Sequence, residues 1–252
     1  MPPTIPSPVV LLDNSTVNHI FSSPIEVHLV DKNDVFYQKG RILAENVYRQ
    51  VWNTENLVDG NDYAVVVVSE DRVIGNFNIE IRRPNKHLKS EVFFKSDHWD
   101  SYFSGSYDRV AELSGLSVSQ TLPIEARQFI LMILFFGTYT ICQILGIDFW
   151  VTVQRKALNR ILTKRLRLGF FPNEFVMKPQ KEVPNDNYWN SSELPKIYYL
   201  DLKDSENINA FSLFSPYLSL MGIRWKFLSR FQSDSLPFST FYNQFYHQSQ
   251  CA

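Results

Sequence analysis

One carboxylate lies inside an otherwise apolar, strand-like segment of the sequence. Residues 109–118 read Arg-Val-Ala-Glu-Leu-Ser-Gly-Leu-Ser-Val, and Glu112 is the acidic residue among them. Burial disfavours the charged form of a carboxylic acid, so its pKa should be raised, which suits removal of a proton from an ammonium group. Glu112 is therefore our candidate general base. The alternative is an edge glutamate that faces solvent or pairs with Arg109.

A polar loop carries a second group of candidate residues. Asp59 and Asp62 lie in the sequence Asp-Gly-Asn-Asp, directly before an apolar run that begins at Tyr63. The two carboxylates could hold an ammonium group or a ribose, but Asp-Gly-Asn-Asp is also an ordinary turn sequence. Trp52 precedes this loop and could either cover a binding site or pack in the core.

The elements that must position these residues alternate between strands and helices. Alternating or continuous apolar residues predict strands at 25–30, 63–68, 73–81, 110–118, 147–153 and 196–202. Apolar residues at helical spacing predict helices at 35–52, 121–145 and 154–168. We expect Gly40 to interrupt the first helix.

An uncharged apolar run occupies residues 128–147. It has about the 20 residues that a bilayer-spanning helix needs. The run also contains Gly137, Thr138 and Gln143, and strand-like segments flank it. A core helix is therefore favoured, and a membrane-spanning helix is the alternative.

The composition excludes several classes of function. The chain has 252 residues and a formal net charge of −1, which gives no sign of a nucleic-acid-binding surface. Its two cysteines, Cys142 and Cys251, do not suggest a disulfide framework, and no Cys/His group has metal-ligand spacing. The N-terminal sequence lacks the basic and apolar regions of a secretory signal. We therefore expect a cytoplasmic protein without a metal or a nucleic-acid partner.

The two ends of the chain differ in composition from its middle. Residues 1–24 are rich in Pro, Ser and Asn and are expected to form a flexible arm. Residues 205–252 are rich in aromatic side chains and are expected to form a helical extension, which packs on the domain or contacts a partner or a membrane surface. Residues 25–204 are then left as one domain.

The element order and three short motifs resemble the GNAT acyltransferase fold, in particular the branch with acyl-homoserine lactone synthases and N-acyl amino acid synthases. Trp52 followed by Asp59 and Asp62 is similar to the acidic motif of that branch, and Val73-Ile-Gly75 is similar to its hairpin. Glu112-Leu-Ser-Gly-Leu-Ser-Val118 resembles its Glu-x-Ser-Arg-(Leu/Phe)-x-Val strand.

The resemblance covers residues 25–202 and implies an α/β (α+β) fold. A mixed, mostly antiparallel central sheet would carry flanking helices, followed here by the aromatic C-terminal helical tail. Two regions depart from the pattern of the branch. Gly115 replaces an arginine, and Asn76 and Asn78 occupy the region where an arginine often follows the hairpin glycine. A catalytically inactive binding or scaffold module of the same fold is therefore an alternative.

The resemblance also implies where acyl transfer would take place. In this fold the central strand bulges and parts from its neighbour, which frees backbone N–H groups to act as an oxyanion hole. We expect the bulge at Gly115 and Ser117, and the parting near Ser117 and Thr152. Glu112 and Ser117 are the candidate catalytic residues. The candidate substrate-binding residues are Trp52, Asp59, Asp62, Ser114, Gly115, Leu116, Val118, Phe149 and Thr152.

The segment after the central strand suggests the donor. CoA-dependent members of this fold have a glycine-rich loop there, whose N–H groups bind the pyrophosphate. Residues 119–125 contain no glycine and include Glu125. An acyl carrier protein therefore fits better than acyl-CoA, and either would bring acyl-phosphopantetheine as a co-substrate rather than as a tightly bound cofactor. The acidic carrier would dock on a basic helix face through Arg155, Lys156, Arg160 and Lys164. The alternative is that this face is only solvated.

The surplus of aromatic residues would then line an acyl pocket. The candidates are Phe135, Phe136, Phe149 and Trp150. For each of them, packing in the core is the alternative. The sequence predicts an N-acyltransferase that moves a fatty acyl group from a carrier-protein or CoA thioester to the amine of an amino acid or a similar small acceptor. An inactive scaffold module and a membrane-associated protein are the alternatives.

Overall fold

A single β-sheet forms the centre of the protein. The computed structural model describes residues 8–13, 21, 25–54, 57, 61–94, 109–172, 183–220 and 224–229. The strands in these residues are β1 (Pro8–Asp13), β2 (Ile25–Asp31), β3 (Tyr63–Ser69), β4 (Arg72–Ile81), β5 (Val110–Val118), β6 (Phe149–Gln154), β7 (Phe171–Pro172), β8 (Lys196–Asp201) and β9 (Arg224–Ser229). They form one nine-stranded sheet in the order β7-β8-β6-β5-β4-β3-β2-β1-β9. Neighbouring strands are antiparallel, apart from the parallel pair β5 and β6, so the predicted mixed sheet is confirmed.

Helices cover both faces of this sheet. The described helices are α1 (Val35–Trp52), α2 (Lys89–Phe93), α3 (Ile124–Ile144), α4 (Lys156–Arg165) and α5 (Ser205–Leu220). Gly40 of α1 approaches Val66 of β3, whereas Gly137 of α3 approaches Val65. Because successive strand residues point to opposite sides of a sheet, α1 and α3 lie on opposite faces. We call these the α1 face and the α3 face.

The first helix is continuous, so the interruption expected at Gly40 is wrong. The helix begins after Asp34, whose Oδ1 accepts a hydrogen bond from Phe36 N at 2.7 Å. A Cβ at Gly40 would lie 2.3 Å from Asn76 Oδ1 and 2.9 Å from a methyl carbon of Val66. Gly40 therefore permits close packing of α1 on the sheet, which helical spacing in the sequence does not reveal.

The apolar helix α3 packs on the sheet. Among the described residues it is the one helix long and apolar enough to cross a membrane, and 67% of its most apolar stretch is buried within the protein. It contacts β2, β3, β4 and β5, and its fully buried residues include Ile130, Ile133 and Leu134. This burial is typical of a core helix, so the core interpretation is favoured over a membrane-spanning one.

Both ends of the chain add strands that the sequence did not suggest. Residues 8–13, expected to belong to a flexible arm, form β1 between β2 and β9. Residues 224–229, expected to belong to a helical extension, form β9 at the edge of the sheet. These two strands pair with each other from opposite ends of the chain, and such long-range pairing leaves little local signal.

The helical part of the C-terminal extension packs on the domain. Phe211 of α5 is fully buried and stacks on Tyr139 of α3, with ring centroids 4.1 Å apart. It also meets Trp150 edge to face at 5.4 Å. Packing on the domain is therefore confirmed for α5. Residues 230–252 lie outside the described residues. The contact with a partner or a membrane surface that was expected for this part of the extension therefore stays a prediction.

A β-bulge changes the course of β5 near Gly115. Asn76 pairs with Ser117 and Asn78 with Ser114, so β5 has one more residue than β4 between these pairs. Gly115 has a φ of 61°, in the left-handed region that favours glycine. A Cβ at this position would also lie 2.7 Å from Asn78 Oδ1. The bulge predicted from the resemblance is confirmed.

Replacing Gly115 with alanine should destabilise the protein through both the positive φ and the contact with Asn78. Gly146 is the matched control, because it has a φ of 67° but a Cβ there would meet no atom within 4 Å. We expect Gly146→Ala to lower the free energy of unfolding by about 1 to 2 kcal/mol. Gly115→Ala should lower the free energy of unfolding, measured in urea, by about 1 to 3 kcal/mol more. Equal losses would contradict close packing at the bulge.

Candidate active site between two parallel strands

The parallel strands β5 and β6 part after a short ladder. The ladder begins with Val110 opposite Phe149 and ends with Glu112 opposite Val151. Residues 113–118 and 152–154 lie on either side of the resulting opening, which we call the seam. In the described part of the chain, the N–H groups of β5 that point into the seam have no strand partner. The expected parting of the two strands is confirmed.

A cavity of about 590 Å³ occupies the seam. Its walls come from both faces of the sheet, with Val47 and Trp52 from α1 and Leu131 from α3. Since most of these walls are apolar, the cavity can hold an aliphatic chain. Seven of the predicted catalytic and substrate-binding residues line this cavity, namely Trp52, Ser114, Gly115, Leu116, Ser117, Val118 and Thr152.

A second cavity, of about 130 Å³, adjoins the first. The residues that line both cavities are Tyr48, Leu113, Ser114, Gly115, Val153 and Tyr188. The smaller cavity is also lined by Glu112, Arg41 and Lys89. Asp186 lines it as well, so the smaller cavity places two carboxylates and two cationic side chains beside the seam.

Glu112 is buried in the wall of the smaller cavity, with 4% of its surface exposed. Its Oε2 accepts hydrogen bonds from Ser90 N at 2.9 Å and from Ser90 Oγ at 2.6 Å. Burial raises the pKa of Glu112 from 4.5 to about 7, although the Ser90 bonds and Lys89 oppose this shift and Glu80 adds to it. A carboxylate with this pKa can accept a proton at neutral pH.

Both alternatives for Glu112 are wrong. Its strand β5 is interior, between β4 and β6, so the side chain is not at a solvent-facing edge. Arg109, the other expected partner, forms an ion pair with Asp148. Ser90 instead anchors Glu112 from α2, in the long connection after β4. No local sequence pattern indicated this contact, because Ser90 lies 22 residues away.

Trp52 borders the larger cavity together with Tyr188 and Arg155. The indole and the Tyr188 ring meet edge to face at 5.4 Å. The Arg155 guanidinium lies 4.8 Å from the centre of the Trp52 ring and donates a hydrogen bond to Glu193 O at 2.9 Å. Trp52 thus reaches the site as predicted, whereas Arg155 is part of the cavity wall rather than a freely exposed docking residue.

Asp62 of the polar loop lines neither cavity. Asp62 accepts a hydrogen bond from Ile81 N at 2.9 Å and pairs with Arg83 at 3.1 Å, so it joins β3 to β4. Asp59 lies outside the described residues. The neighbouring Asn61 reaches the site instead, because its Oδ1 accepts a hydrogen bond from Ser114 Oγ at 3.0 Å.

One of the four predicted pocket aromatics lines the larger cavity, and it is Phe135. Phe149 packs in a separate apolar cluster, and Trp150 donates its indole N–H to Cys142 Sγ at 3.1 Å. Phe136 packs against Phe214 of α5. These three point away from the seam because a side chain's direction depends on helix rotation and strand face. Apolar wall residues that the sequence reading missed are Phe77, Leu131 and Phe170.

Basic side chains surround the part of α4 that borders the larger cavity. Three of the four predicted docking residues are exposed on this helix, namely Lys156, Arg160 and Lys164. Arg127 and Arg165 line the cavity itself, and Arg127 was not singled out from the sequence. The α4 surface can therefore meet an acidic partner next to the cavity.

The described residues contain no group of three or more His, Cys, Asp or Glu side chains that could hold a metal ion. Cys142 is buried, and burial raises the pKa of its thiol to about 12. The described cysteine is therefore a poor nucleophile. The groups suited to chemistry at the seam are Glu112, the Ser117 hydroxyl and the N–H groups of β5 beyond its ladder with β6.

Comparison with known proteins finds similarity among solved structures. No protein-family model and no curated protein matches the chain. It is similar to the acyl-homoserine lactone synthase LasI, with a TM-score of 0.49 and 12% identity over 75% of this chain and 95% of that one. It is also similar to FeeM, an N-acyl amino acid synthase from uncultured soil microbes, with a TM-score of 0.49 and 14% identity over 74% of this chain and 96% of that one. A GNAT-family acetyltransferase from Staphylococcus aureus Mu50 is similar with a TM-score of 0.40 and 9% identity over 70% of this chain and 99% of that one.

The raised pKa of Glu112 should make stability depend on pH. The folded protein disfavours the charged form of Glu112, so ionisation of this carboxyl lowers the free energy of unfolding. This loss is absent below about pH 4.5, grows up to about pH 7 and is then constant. Glu112→Gln lacks this titration. Its free energy of unfolding, relative to the unchanged protein, should rise by about 3 kcal/mol from pH 4.5 to pH 7.5.

Urea unfolding across this pH range measures the difference in free energy of unfolding between the variant and the unchanged protein. The loss of the Ser90 contacts shifts this difference equally at every pH, so it does not affect how the difference changes with pH. Ser90→Ala is the companion variant, because it removes a hydrogen bond that stabilises the charged carboxylate. It should raise the pKa of Glu112 further and extend the pH-dependent range upward. A flat difference for Glu112→Gln would mean that Glu112 is not buried as described.

Proposed function

We propose that the protein is an N-acyltransferase that moves a fatty acyl group from a phosphopantetheine thioester to the amine of an amino acid or a similar small acceptor. The observation that carries the proposal is the meeting of two unlike cavities at the seam. One is large and mostly apolar, and the other is small and lined by two buried carboxylates, Glu112 and Asp186. Acyl transfer needs such environments side by side, so that nucleophile and carbonyl are held in contact.

The larger cavity suits the acyl chain and the thioester. Phe77, Phe135 and Phe170 offer apolar contacts to the chain. Where β5 has left its ladder, N–H groups that point into the seam can stabilise the oxyanion of a tetrahedral intermediate. Ser117 lines the same cavity, and its buried Oγ has no hydrogen-bond partner. That hydroxyl can bond to the thioester or to the departing sulfur.

The smaller cavity suits an acceptor that carries both an amine and a carboxylate. Glu112 can bind the ammonium group and remove its proton. Arg41 is 5% exposed and Lys89 is half-buried, and both line the same cavity. Their positive charges can bind a carboxylate. The volume of about 130 Å³ favours a small acceptor.

The proposed reaction transfers two protons from the acceptor nitrogen. Glu112 takes the first, and the neutral amine attacks the thioester carbonyl to form the C–N bond. The tetrahedral intermediate then loses the thiolate by cleavage of the C–S bond, and the sulfur takes the second proton. The products are an amide, a free pantetheine thiol and one proton on Glu112.

For the donor we favour an acyl carrier protein. The exposed residues Lys156, Arg160 and Lys164 lie on a helix that borders the larger cavity, and carrier proteins are acidic. The turn before α3 lacks glycine, and Glu125 lies in the first turn of that helix, which disfavours a pyrophosphate. We expect the reaction to take place in the cytoplasm, where two isolated cysteines remain reduced.

Free thiol release tests the proposed activity. Purified protein is mixed with acyl carrier protein or acyl-CoA and a panel of amino acids, and thiol is measured together with the mass of the amide. Glu112→Gln should lower kcat by about 100-fold or more, because the ammonium group then loses its base. Release by the unchanged protein that requires no amine would contradict N-acyl transfer. Carrier binding without turnover for any amine would support the scaffold alternative.

Charge reversal on α4 tests the choice of donor. Arg160→Glu should raise KM for the acyl carrier protein about tenfold, since a favourable charge becomes a repulsive one. The KM for acyl-pantetheine, which has no protein surface, should stay the same. Lys32→Glu is the control, because Lys32 is exposed in the turn before α1 and lines neither cavity. An equal effect of both variants would argue against docking on α4.

A further inference from the structure

Two buried asparagines of β4 lie beside the bulge of β5. Asn76 and Asn78 are both 0% exposed, and Asn76 is in contact with Gly40 of α1. Since residues two apart on a strand share a face, both side chains lie on the α1 face. Neither residue lines the larger or the smaller cavity. Any part that they take in chemistry at the seam must therefore be indirect.

The Asn76 side chain binds a backbone carbonyl of the bulge. Its Nδ2 donates one hydrogen bond to Gly115 O at 3.0 Å and another to Asn78 Oδ1 at 2.5 Å. A backbone carbonyl can only accept a hydrogen bond, so the contact with Gly115 requires the nitrogen of the Asn76 amide. That nitrogen in turn requires the oxygen of the Asn78 amide. The orientations of both side-chain amides are therefore fixed.

Holding this carbonyl leaves two buried atoms without a partner in the described chain, Asn76 Oδ1 and Asn78 Nδ2. Two glycines make room for the pair of asparagines. A Cβ at Gly40 would lie 2.3 Å from Asn76 Oδ1, and a Cβ at Gly115 would lie 2.7 Å from Asn78 Oδ1. Buried polar groups without partners weaken a fold, and apolar side chains of similar size would avoid that loss. Stability alone therefore does not account for these two asparagines.

The position of the Gly115 carbonyl determines where the next N–H points. In a planar trans peptide the C=O and N–H bonds point in opposite directions. Gly115 O points towards Asn76 of β4, so the Leu116 N–H points away from β4. β5 lies between β4 and β6, and its ladder with β6 ends at Glu112. The Leu116 N–H therefore faces the seam, where Leu116 lines the larger cavity.

We propose that Asn76 is a positioning residue for acyl transfer, which holds the Gly115–Leu116 peptide so that the Leu116 N–H donates a hydrogen bond to the thioester carbonyl oxygen. This role rests on the proposed N-acyl transfer. As the amine attacks, the carbonyl oxygen gains negative charge, and a donor that is already fixed in place stabilises this charge without first having to turn. Asn76 itself makes and breaks no covalent bond. Asn78 supports the arrangement by accepting the second hydrogen bond of Asn76.

Infrared spectroscopy of the bound donor tests this role without turnover. Decanoyl-pantetheine with a ¹³C label at the thioester carbonyl is added without an amine, so that no transfer to an acceptor takes place. A hydrogen bond to the carbonyl oxygen lowers the stretching frequency of the carbonyl group. The frequency should therefore be higher in Asn76→Leu, which has lost the amide that fixes the donor, than in the unchanged protein.

Asn207→Leu is the matched control for Asn76→Leu. Asn207 is 1% exposed, and its Nδ2 also donates to a backbone carbonyl, Asp201 O, at 2.8 Å, but it lines neither cavity. The carbonyl frequency in this variant should equal that in the unchanged protein. Asn78→Leu keeps Asn76 but removes its second acceptor, so it should give a smaller shift in the same direction. It serves as the test if Asn76→Leu folds poorly.

Steady-state kinetics and a crystal structure give two further measurements. Asn76→Leu should lower kcat about 100-fold and leave KM for the donor within about twofold, because the contact strengthens only in the transition state. Asn207→Leu should leave kcat unchanged. In crystals of the unchanged protein with the matching ketone, in which a methylene group replaces the thioester sulfur, the ketone oxygen should lie within about 3.1 Å of Leu116 N. A Leu116 N–H that instead bonds to β4 would overturn the positioning role.

The outcomes separate the role of Asn76 from the proposed function. Equal carbonyl frequencies in Asn76→Leu and the unchanged protein, with donor bound to both, would overturn the positioning role and leave acyl transfer intact. Equal losses of kcat in Asn76→Leu and Asn207→Leu would also overturn it, since the loss of any buried amide would then have the same effect. Absence of turnover by the unchanged protein with every amine would overturn the acyl-transfer proposal and the positioning role with it.

Discussion

The short ladder between β5 and β6 is the constraint on which the site depends. Parallel strands normally continue side by side, but these two pair only from Val110 to Glu112. The bulge at Gly115 lies just beyond this ladder, and Gly115 lines both cavities. A sheet tolerates such an opening because α1 and α3 cover it from opposite faces.

The same region holds polar groups at a cost to stability. Glu112 is taken out of water, and several amide and hydroxyl atoms beside it lack partners within the described chain. Buried groups of this kind usually weaken a fold by about 1 to 3 kcal/mol each. The extensive apolar core on the α3 face, where Phe135 and Trp150 pack with α5, can offset that cost. The buried polar groups thus lie between β4 and β5, whereas most of the apolar core packs under α3.

Local sequence predicted the central elements well and the side-chain contacts poorly. Apolar periodicity placed α1, α3, α4 and the central strand, because these signals come from neighbouring residues. The bulge was expected only from the resemblance of the Glu112 motif to a known family. Asn61 and Ser90 were missed, since each reaches the site from a loop or short helix distant in sequence. Phe149 was assigned to the pocket, but strand alternation points it into a separate cluster.

Taken alone, the sequence determined the order of elements, the buried position of Glu112 and the glycine that the bulge requires. These depend on backbone preference and on the spacing of apolar residues, which are properties of short segments. Only the tertiary structure decided how far the seam opens, which residues hold Glu112 and how β1 joins β9. Those features arise from pairing and packing between distant segments, and no short stretch of chain contains both partners.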